Sequence, residues 1–384
     1  MTSIADILEE PFRDELLSLG DAAALLSAPE EAYADIFAAA DRLNRRLNGD
    51  RVSWIYNRNL NFSNICYADC AFCAYRVHQG QSGAFRMTVE QVLQTALQTP
   101  DVDEICLQGG LNPEINFQYL LDVTRALKAA LPSVHLHAFS PMEIFWHARR
   151  AGLTLERAFE QLIEAGFGSL CGTAAEVLVD RVRREICPGK LSSDQWIEVV
   201  RTAHRMGLRS TSTLLFGHIE SSQDIAEHLG RLRDLQQETG GFTEFIPLIF
   251  IPYRTELGRE RGIAEMLPLP RTKLLYATSR LFFGRLLANL QTSWVKLGLA
   301  AALETLDVGV NDLGGTLLSE NITRSAGGRH GQAMTADALV QAIQSAGRTP
   351  VHRDTLYNVL PTGTPSVGGA DVRPEGPAER KPRA

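Results

Sequence analysis

The sequence predicts an α/β protein built around a TIM-type (β/α)8 barrel, with a helical layer before it and a disordered tail after it. In residues 51–331 short apolar strands alternate with amphipathic helices, and parallel strands need such crossovers. Residues 1–50 show only helical periodicity, and residues 332–361 add one helix and an extension. Glycine, proline and charge dominate residues 362–384, a composition that cannot bury a core.

The elements follow from the period of the apolar residues. In the N-terminal layer, helices are predicted over Asp21–Leu26 and Glu30–Leu47, before the stop signal at Asn48 and Gly49. The eight predicted strands are Asn59–Ile65, Glu104–Gly110, His135–Ser140, Gly166–Cys171, Arg209–Gly217, Thr243–Phe250, Ala288–Val295 and Val308–Gly315. The predicted helices after residue 51 are Thr88–Leu97, Phe117–Leu131, Leu155–Ala165, Ser193–Met206, Ser222–Glu238 and Thr335–Gly347.

Composition narrows the class of protein. The 384 residues are 45% hydrophobic and 22% charged, which is ordinary for a globular protein. A net charge of −7 argues against a nucleic-acid binder, which would show a basic face. Neither a signal peptide nor an apolar run of membrane-spanning length is visible. We therefore expect a cytoplasmic protein that binds no membrane.

A cysteine-rich loop follows the first predicted strand. Cys66, Cys70 and Cys73 have the spacing C-x3-C-x2-C. Three thiolates can bind three irons of a [4Fe-4S] cluster and leave the fourth iron open for another ligand. Because barrel chemistry sits at the carboxyl ends of the strands, this loop lies at the expected catalytic face.

Other interpretations of these cysteines remain open from spacing alone. They could be part of a zinc site, with His78 as a fourth ligand, although no second pair of ligands follows. Disulfides would need an oxidising compartment, which nothing in the sequence suggests. Plain buried thiols are the third alternative. The cluster is the favoured interpretation, because the loop follows a strand of a predicted barrel.

The cysteine loop resembles that of the radical S-adenosylmethionine (SAM) enzymes, in which Phe72 fits an aromatic position next to the cofactor. The resemblance implies a [4Fe-4S] cluster that cleaves SAM and releases a 5'-deoxyadenosyl radical. It also implies cofactor-binding roles at the next strand ends, for Gly109 and Gly110 after strand two, Glu143 after strand three, and Glu176 and Arg183 after strand four. Without the resemblance, Gly-Gly would be a turn and the glutamates would be favourable helix starts.

Polar groups at later strand ends are candidates for the substrate. His218 and Glu220 after strand five are predicted to be catalytic, in proton transfer or substrate contact, although a histidine there could simply cap a loop. Trp294, Asn311 and Asp312 are predicted to bind substrate, with an Asx-Gly turn as the alternative for the last two. The stretches 291–296 and 324–332 add further polar candidates. The remaining cysteines are interpreted as small packing residues: Cys106, Cys171 and Cys187.

A more specific resemblance runs in order from about residue 57 to 360. Blocks such as LQGGLNP, GTAAEVLVDRVRREICPGK, GHIESSQD, GGFTEFIPLIF, QTSWVKLG and NDLGGT look like the tyrosine-lyase branch of the radical SAM enzymes. This branch includes the second subunit of FO synthase, aminofutalosine synthase and the dehypoxanthine futalosine cyclase. GTAAE and NDLGGT point to the FO synthase subunit, and the other two enzymes remain the alternative.

That resemblance implies a reaction and its partners. The radical would abstract hydrogen from L-tyrosine, the Cα–Cβ bond would break, and the 4-hydroxybenzyl unit would join C5 of 5-amino-6-(D-ribitylamino)uracil, on the way to the deazaflavin FO. FO synthase subunit 1 would be the pathway partner, and ferredoxin or flavodoxin would supply electrons. A rival from another class is a non-catalytic iron-sulfur or zinc protein that only binds a partner.

Overall fold

The computed structural model of the chain describes residues 3–361. The disordered tail predicted for residues 362–384 lies outside the described residues. The helices are α1 (Ile4–Glu9), α2 (Leu19–Leu26), α3 (Tyr33–Asn48), α4 (Val89–Ala96), α5 (Phe117–Ala130), α6 (Pro141–Arg150), α7 (Leu155–Glu164), α8 (Asp180–Ile186), α9 (Ser193–Arg205), α10 (Ser222–Thr239), α11 (Glu256–Glu260), α12 (Leu269–Phe283), α13 (Trp294–Leu297), α14 (Leu299–Glu304), α15 (Ile322–Ser325) and α16 (Ala336–Ser345). The strands are β1 (Arg51–Ile55), β2 (Asn57–Asn61), β3 (Glu104–Gln108), β4 (His135–Ala138), β5 (Ser169–Leu170), β6 (Arg209–Phe216), β7 (Phe242–Ile249), β8 (Asp312–Gly315) and β9 (Thr349–His352).

Two parallel sheets form the core. The larger has six strands in the order β2-β3-β4-β5-β6-β7, and the smaller has the order β8-β1-β9. Every paired strand runs parallel to its neighbour, as the predicted strand–helix alternation requires. The predicted α/β class is confirmed.

Backbone bonds continue from the large sheet into the small one on both sides. Next to β7, Phe245 is bridged to Leu290, and Gln291 is bridged to Asp312 of β8. On the other side, the backbone N–H of Asn59 in β2 donates to the carbonyl of Leu317, at 2.9 Å. The strands therefore curl around an enclosed interior. Eight chain segments surround it in order: β2–β7 at the first six positions, the bridged residues Leu290 and Gln291 at the seventh, and β8 at the eighth.

The prediction of a seventh strand over Ala288–Val295 is wrong, because the strand-like part of this segment is much shorter. The structure has only the two bridges there, and α13 begins at Trp294. The first strand also ends earlier than predicted, at Asn61, since the chain then turns into the cysteine loop. Two strands were not predicted at all: β1 and β9, which pair with each other across most of the chain length.

The helices cover the outside of this core. In the N-terminal layer, α3 packs against α12 and buries Ile36 and Leu43. Side-chain caps fix several starts: in α2, Ser18 and Asp21 form a capping box that satisfies two otherwise free backbone N–H groups. Among residues 3–361, no helix has the length and apolar character needed to cross a membrane.

Candidate active site

A cavity of about 420 Å³ occupies the inside of the barrel, and some of the predicted strand-end groups line it. The predicted site residues that line it are Cys66, Cys70, Phe72, Cys73, Gly109, Gly110, Glu143, Glu176 and Trp294. The predicted residues that do not line it are Arg183, His218, Glu220, Asn311 and Asp312. The structure thus assembles the predicted cofactor side of the site more completely than the predicted substrate side.

The cysteine loop is held by its own backbone and by its neighbours. The N–H of Cys66 donates to the carbonyl of Val77 at 3.2 Å, and the N–H of Cys73 donates to the carbonyl of Cys70 at 3.0 Å. All three cysteines are free thiols. Burial raises the pKa of the Cys66 and Cys70 thiols, so a bound cation is needed to hold them as thiolates.

The donor set fits an iron-sulfur cluster. Three free thiols line one cavity, while no three Cys, His, Asp or Glu side chains within the described range 3–361 are placed around a single metal ion. Thiols that each bind a different iron of a cluster need not converge on one point. The fourth zinc ligand considered above, His78, has a side chain that is 51% exposed and does not line the cavity. The geometry therefore favours a cluster over a mononuclear zinc site.

Gly109 and Gly110 end β3 beside the cysteine loop, where the backbone packs too tightly for a side chain. A Cβ on Gly109 would lie 2.3 Å from the ring of Phe62, and one on Gly110 would lie 2.3 Å from the carbonyl oxygen of Ile65. These contacts require glycine at both positions. Both glycines also line the cavity.

Glu143 is buried in the first turn of α6, directly beside these glycines. Its carboxylate accepts hydrogen bonds from the N–H of Gly109, at 2.9 Å, and from the N–H and hydroxyl of Ser140, both at 2.7 Å. Burial raises the pKa of Glu143 to about 7, against the lowering effect of these hydrogen bonds. Glu143 is thus a capping residue that also presents a titratable group to the cavity.

Glu176 and Lys190 form an ion pair at the cavity wall. Lys190 Nζ lies 2.6 Å from Glu176 Oε1 and also 5.3 Å from the centre of the Phe72 ring. Nearby thiols and Glu176 raise the pKa of Lys190 despite its burial. Lys190 was not predicted as a site residue. Lys190 ends the block GTAAEVLVDRVRREICPGK, which carries part of the family resemblance. The sequence did not show that this lysine returns to the cysteine loop.

Arg183 was predicted to contact the cofactor, but it is engaged elsewhere. Its guanidinium donates to the carbonyl of Leu191 at 2.8 Å, to that of Ala174 at 3.2 Å and to that of Ala175. Ala174 and Glu176 both have positive φ, so this turn needs external support. Arg183 therefore shapes the turn that carries Glu176, and a direct cofactor contact stays a prediction without support from this placement.

His218 and Glu220 face their own loop. The carboxylate of Glu220 accepts from the backbone N–H groups of Gly217 and His218, and His218 contacts the carbonyl of Leu215 at 3.1 Å. Gly217 has φ +87°, a left-handed conformation that turns the chain directly after β6. Their catalytic role stays a prediction that the structure does not support, since neither side chain lines the cavity.

Two of the three predicted substrate residues belong to a buried hydrogen-bond network below the cavity wall. Asn311 accepts from Arg280 at 2.7 Å, and Asp312 accepts from Arg353 and Ser53, both at 2.6 Å. These partners occupy the polar atoms that substrate was expected to meet. Their substrate-binding role therefore stays a prediction without geometric support, and Trp294 alone lines the cavity.

The network continues into a group that we term the floor: Asn57, Glu104, Glu244, Asp312, Arg353 and Tyr357. Most of these residues lie near the amino ends of their strands, opposite the cysteine loop. Asn57 donates to Glu104 at 3.0 Å, and both Arg353 and Tyr357 donate to Glu244. Sequence reasoning missed this floor because its ion pairs join residues far apart along the chain.

A second group consists of carboxamides on the cavity wall, of which only Gln291 lies in a stretch that the sequence predicted to be polar. Asn59, Asn61, Gln108 and Gln291 line the cavity. Asn61 lies opposite Gln108 on the neighbouring strand. Within residues 3–361 the side chains of Asn59, Asn61 and Gln291 make no hydrogen bond, whereas Asn57 below them is fully engaged. These amides can donate and accept toward a bound molecule.

Comparisons with known proteins agree with this geometry. The model of the Radical SAM superfamily matches residues 60–232, and that of the CofH/MqnC C-terminal region matches residues 239–365. Two solved structures share the fold. Methylornithine synthase (PylB) has a TM-score of 0.70 at 18% identity, covering 90% of this chain and 97% of that chain. The FeFe-hydrogenase maturase HydG from Carboxydothermus hydrogenoformans has a TM-score of 0.71 at 17% identity, covering 92% and 80%.

Curated relatives match at higher identity. The 5-amino-6-(D-ribitylamino)uracil–L-tyrosine 4-hydroxyphenyl transferase of Methanopyrus kandleri is 42% identical over 324 residues, covering 84% of this chain and 88% of that protein. Proteins with the same name from Methanothermobacter thermautotrophicus and Gloeobacter violaceus are 42% and 45% identical, over 350 and 357 residues. They cover 90% and 89% of this chain, and 95% and 90% of their own lengths.

Proposed function

The chain belongs to the radical SAM superfamily and, within it, to the family of these uracil–tyrosine 4-hydroxyphenyl transferases, and we propose that it catalyses the reaction their name describes. It transfers the 4-hydroxybenzyl unit of L-tyrosine to 5-amino-6-(D-ribitylamino)uracil. The names of the relatives support this reaction over the futalosine enzymes considered above. The observation that carries the proposal is that the three cysteines line one cavity together with Glu143 and Glu176.

Radical SAM enzymes in general use SAM and a [4Fe-4S] cluster, and here Cys66, Cys70 and Cys73 would hold that cluster. When bound, the cluster supplies the electron that cleaves SAM to an adenosyl radical. Gly109 and Gly110 line the cavity beside this loop and carry no side chain, so a ligand can approach their backbone closely.

Two carboxylates complete the proposed SAM side of the cavity. Glu143 and Glu176 could each accept a hydrogen bond from its amino or ribose groups. Phe72 lies under the Lys190–Glu176 pair and gives the cavity an aromatic surface at this point. Each of these groups would orient SAM rather than take part in its cleavage.

The part of the cavity wall formed by carboxamides suits a polar, uncharged substrate. The uracil ring and its ribityl chain carry alternating hydrogen-bond donors and acceptors and no charge. The free carboxamides of Asn59, Asn61 and Gln291 can match both kinds of group. We propose that these amides contact the aminouracil, and that Trp294, fixed by its 2.9 Å hydrogen bond to the carbonyl of Gly315, closes that side.

The partners follow from the proposed chemistry. A reductant such as ferredoxin or flavodoxin would deliver the electron. FO synthase subunit 1, a separate enzyme, would take up the product, and a complex between the two subunits stays a prediction. The cytoplasmic location also stays a prediction.

The test is anaerobic reconstitution followed by incubation with reductant, SAM, tyrosine and the aminouracil. We expect about four irons per chain, 5'-deoxyadenosine, and a tyrosine-dependent adduct whose mass corresponds to the aminouracil plus the 4-hydroxybenzyl unit. An enzyme that cleaves SAM but forms no such adduct would contradict the proposed substrates. Binding of zinc in place of iron would contradict the enzyme class.

A further inference from the structure

Lys296 differs from the other basic side chains that line the cavity. Four lysines and arginines line it: Arg76, Lys190, Lys296 and Arg353. Arg76 pairs with Asp69, Lys190 with Glu176 at 2.6 Å, and Arg353 with Asp312 at 2.6 Å. Among the residues from 3 to 361, no carboxylate lies within 4.0 Å of the Lys296 ammonium, and no hydrogen bond from it is formed.

An unpaired ammonium in such a place is costly. Lys296 is only partly accessible, and burial lowers its pKa, with Glu320 and Glu176 acting as more distant opposing charges. Three of the four cavity cations have their charge matched within the protein, so the fourth is matched by a ligand or remains uncompensated. The chemistry that would match it is an anion, and a carboxylate is the natural partner of an ammonium.

The position of Lys296 distinguishes between the reactants that carry a carboxylate. Lys296 lies in α13, which follows the seventh position of the barrel, where Gln291 bridges β8. The glycines and Glu143 of the proposed SAM side follow β3 and β4, across the ring of strands from that position. The aminouracil has no carboxylate, so tyrosine is the reactant that this lysine fits.

We propose that Lys296 anchors the carboxylate of the amino-acid substrate. The inference rests on the proposed function, because it takes tyrosine as the amino acid. Anchoring the carboxylate there holds the Cα of the amino acid near the middle of the cavity. The side chain of tyrosine then extends from that fixed end toward the carboxamide wall. Lys296 is thus a specificity-determining residue for amino acids over amines.

The experiment compares tyrosine with tyramine, which lacks only the carboxylate, in the reconstituted holoenzyme. Lys296→Met should weaken tyrosine binding at least tenfold and should leave tyramine binding within about twofold, because only the carboxylate interaction is lost. Lys296→Arg, which keeps the charge, should recover most of the tyrosine affinity. Lys273→Met is the matched control, since Lys273 lies outside the cavity beside Glu304.

Each result has a distinct meaning. If the wild type forms no adduct with the aminouracil, the proposed function fails, whereas the tyrosine-to-tyramine affinity ratio reports on Lys296 alone. A ratio in Lys296→Met equal to that of the wild type would overturn the inference. So would a loss of SAM affinity with tyrosine affinity unchanged, since the lysine would then belong to the cofactor side. If Lys296→Met does not fold, Lys296→Gln provides the same comparison.

Discussion

The polar groups at the two ends of the barrel interior differ in whether the protein itself supplies their partners. On the floor, carboxylates and cations satisfy one another: Arg353 lies between Asp312 and Glu244, and Asn57 engages Glu104. Toward the cysteine loop, several groups have no such partner, above all Lys296 and the wall carboxamides. Buried groups that are matched internally hold the fold together, while groups left unmatched around a cavity are available to ligands. The polar interior therefore has a structural part, the floor, and a binding part, toward the cysteine loop.

The largest expected effect comes from the cysteine loop. Cys70→Ala should abolish 5'-deoxyadenosine formation, because two thiols remain to hold a cluster that needs three. Since alanine removes only the sulfur atom, from a loop that lies outside the helices and strands, the far-UV circular dichroism spectrum should not change. Turnover retained by this variant, with iron still bound, would refute the assignment of Cys70 as a cluster ligand. A matched control is Cys187→Ala, which removes a buried thiol that does not line the cavity.

A substitution in the floor should lower the stability of the fold, whereas the substitution in the cysteine loop should abolish activity. Arg353→Met removes the one cation from a buried cluster that contains Asp312 and Glu244. Uncompensated buried charge is expected to lower the free energy of unfolding by about 3–5 kcal/mol, measured by denaturant titration. Arg201→Met is the control, because Arg201 pairs with Glu198 and Glu238 on the surface, and such pairs contribute about 1 kcal/mol or less. Equal losses in the two variants would contradict a structural floor.

The smallest effect concerns Glu143, which caps α6 and also faces the cavity. Its pKa is raised from the ordinary 4.5 to about 7 in the folded protein, so between these pH values the folded state binds a proton that the unfolded state has released. The contribution of Glu143 to the free energy of unfolding is therefore largest at low pH and falls as pH rises through this window. The fall is at most about 1.4 kcal/mol per pH unit.

Denaturant titrations at pH 5 and pH 7.5 measure this dependence. Glu143→Gln should remove it and leave only the contributions of other groups, which both proteins share. Identical pH dependence in wild type and variant would show that Glu143 keeps an ordinary pKa in the folded state.

Much of the fold could be predicted because the apolar period of each segment is a local property. Seven of the eight predicted strands match β2–β8, the exception being the segment at 288–295, and the helix predictions agree within a few residues. That segment has the apolar content of a strand, but only Leu290 and Gln291 reach a neighbouring strand. Strands β1 and β9 escaped prediction since their pairing joins residues about 300 positions apart, which no local pattern records.

The site could be predicted only where its chemistry is local in sequence. The three cysteines lie within eight residues, and Gly109–Gly110 and Glu143 directly follow their strands. His218 and Glu220 also follow a strand, but the turn at Gly217 directs them into their own loop, which sequence alone did not show. Lys190, Glu244 and Arg353 were missed, since each gains its place through a partner on a distant segment.

The pairing of β1 with β9 has a consequence for synthesis on the ribosome. Arg51 of β1 lies beside Thr349, and Arg353 follows β9 into the floor. Until that late segment has emerged, Asp312 and Glu244 have no cation between them and β1 lacks one of its two neighbours. The nascent chain can therefore form its β/α units in order but completes its core only after residues 349–353 have been made.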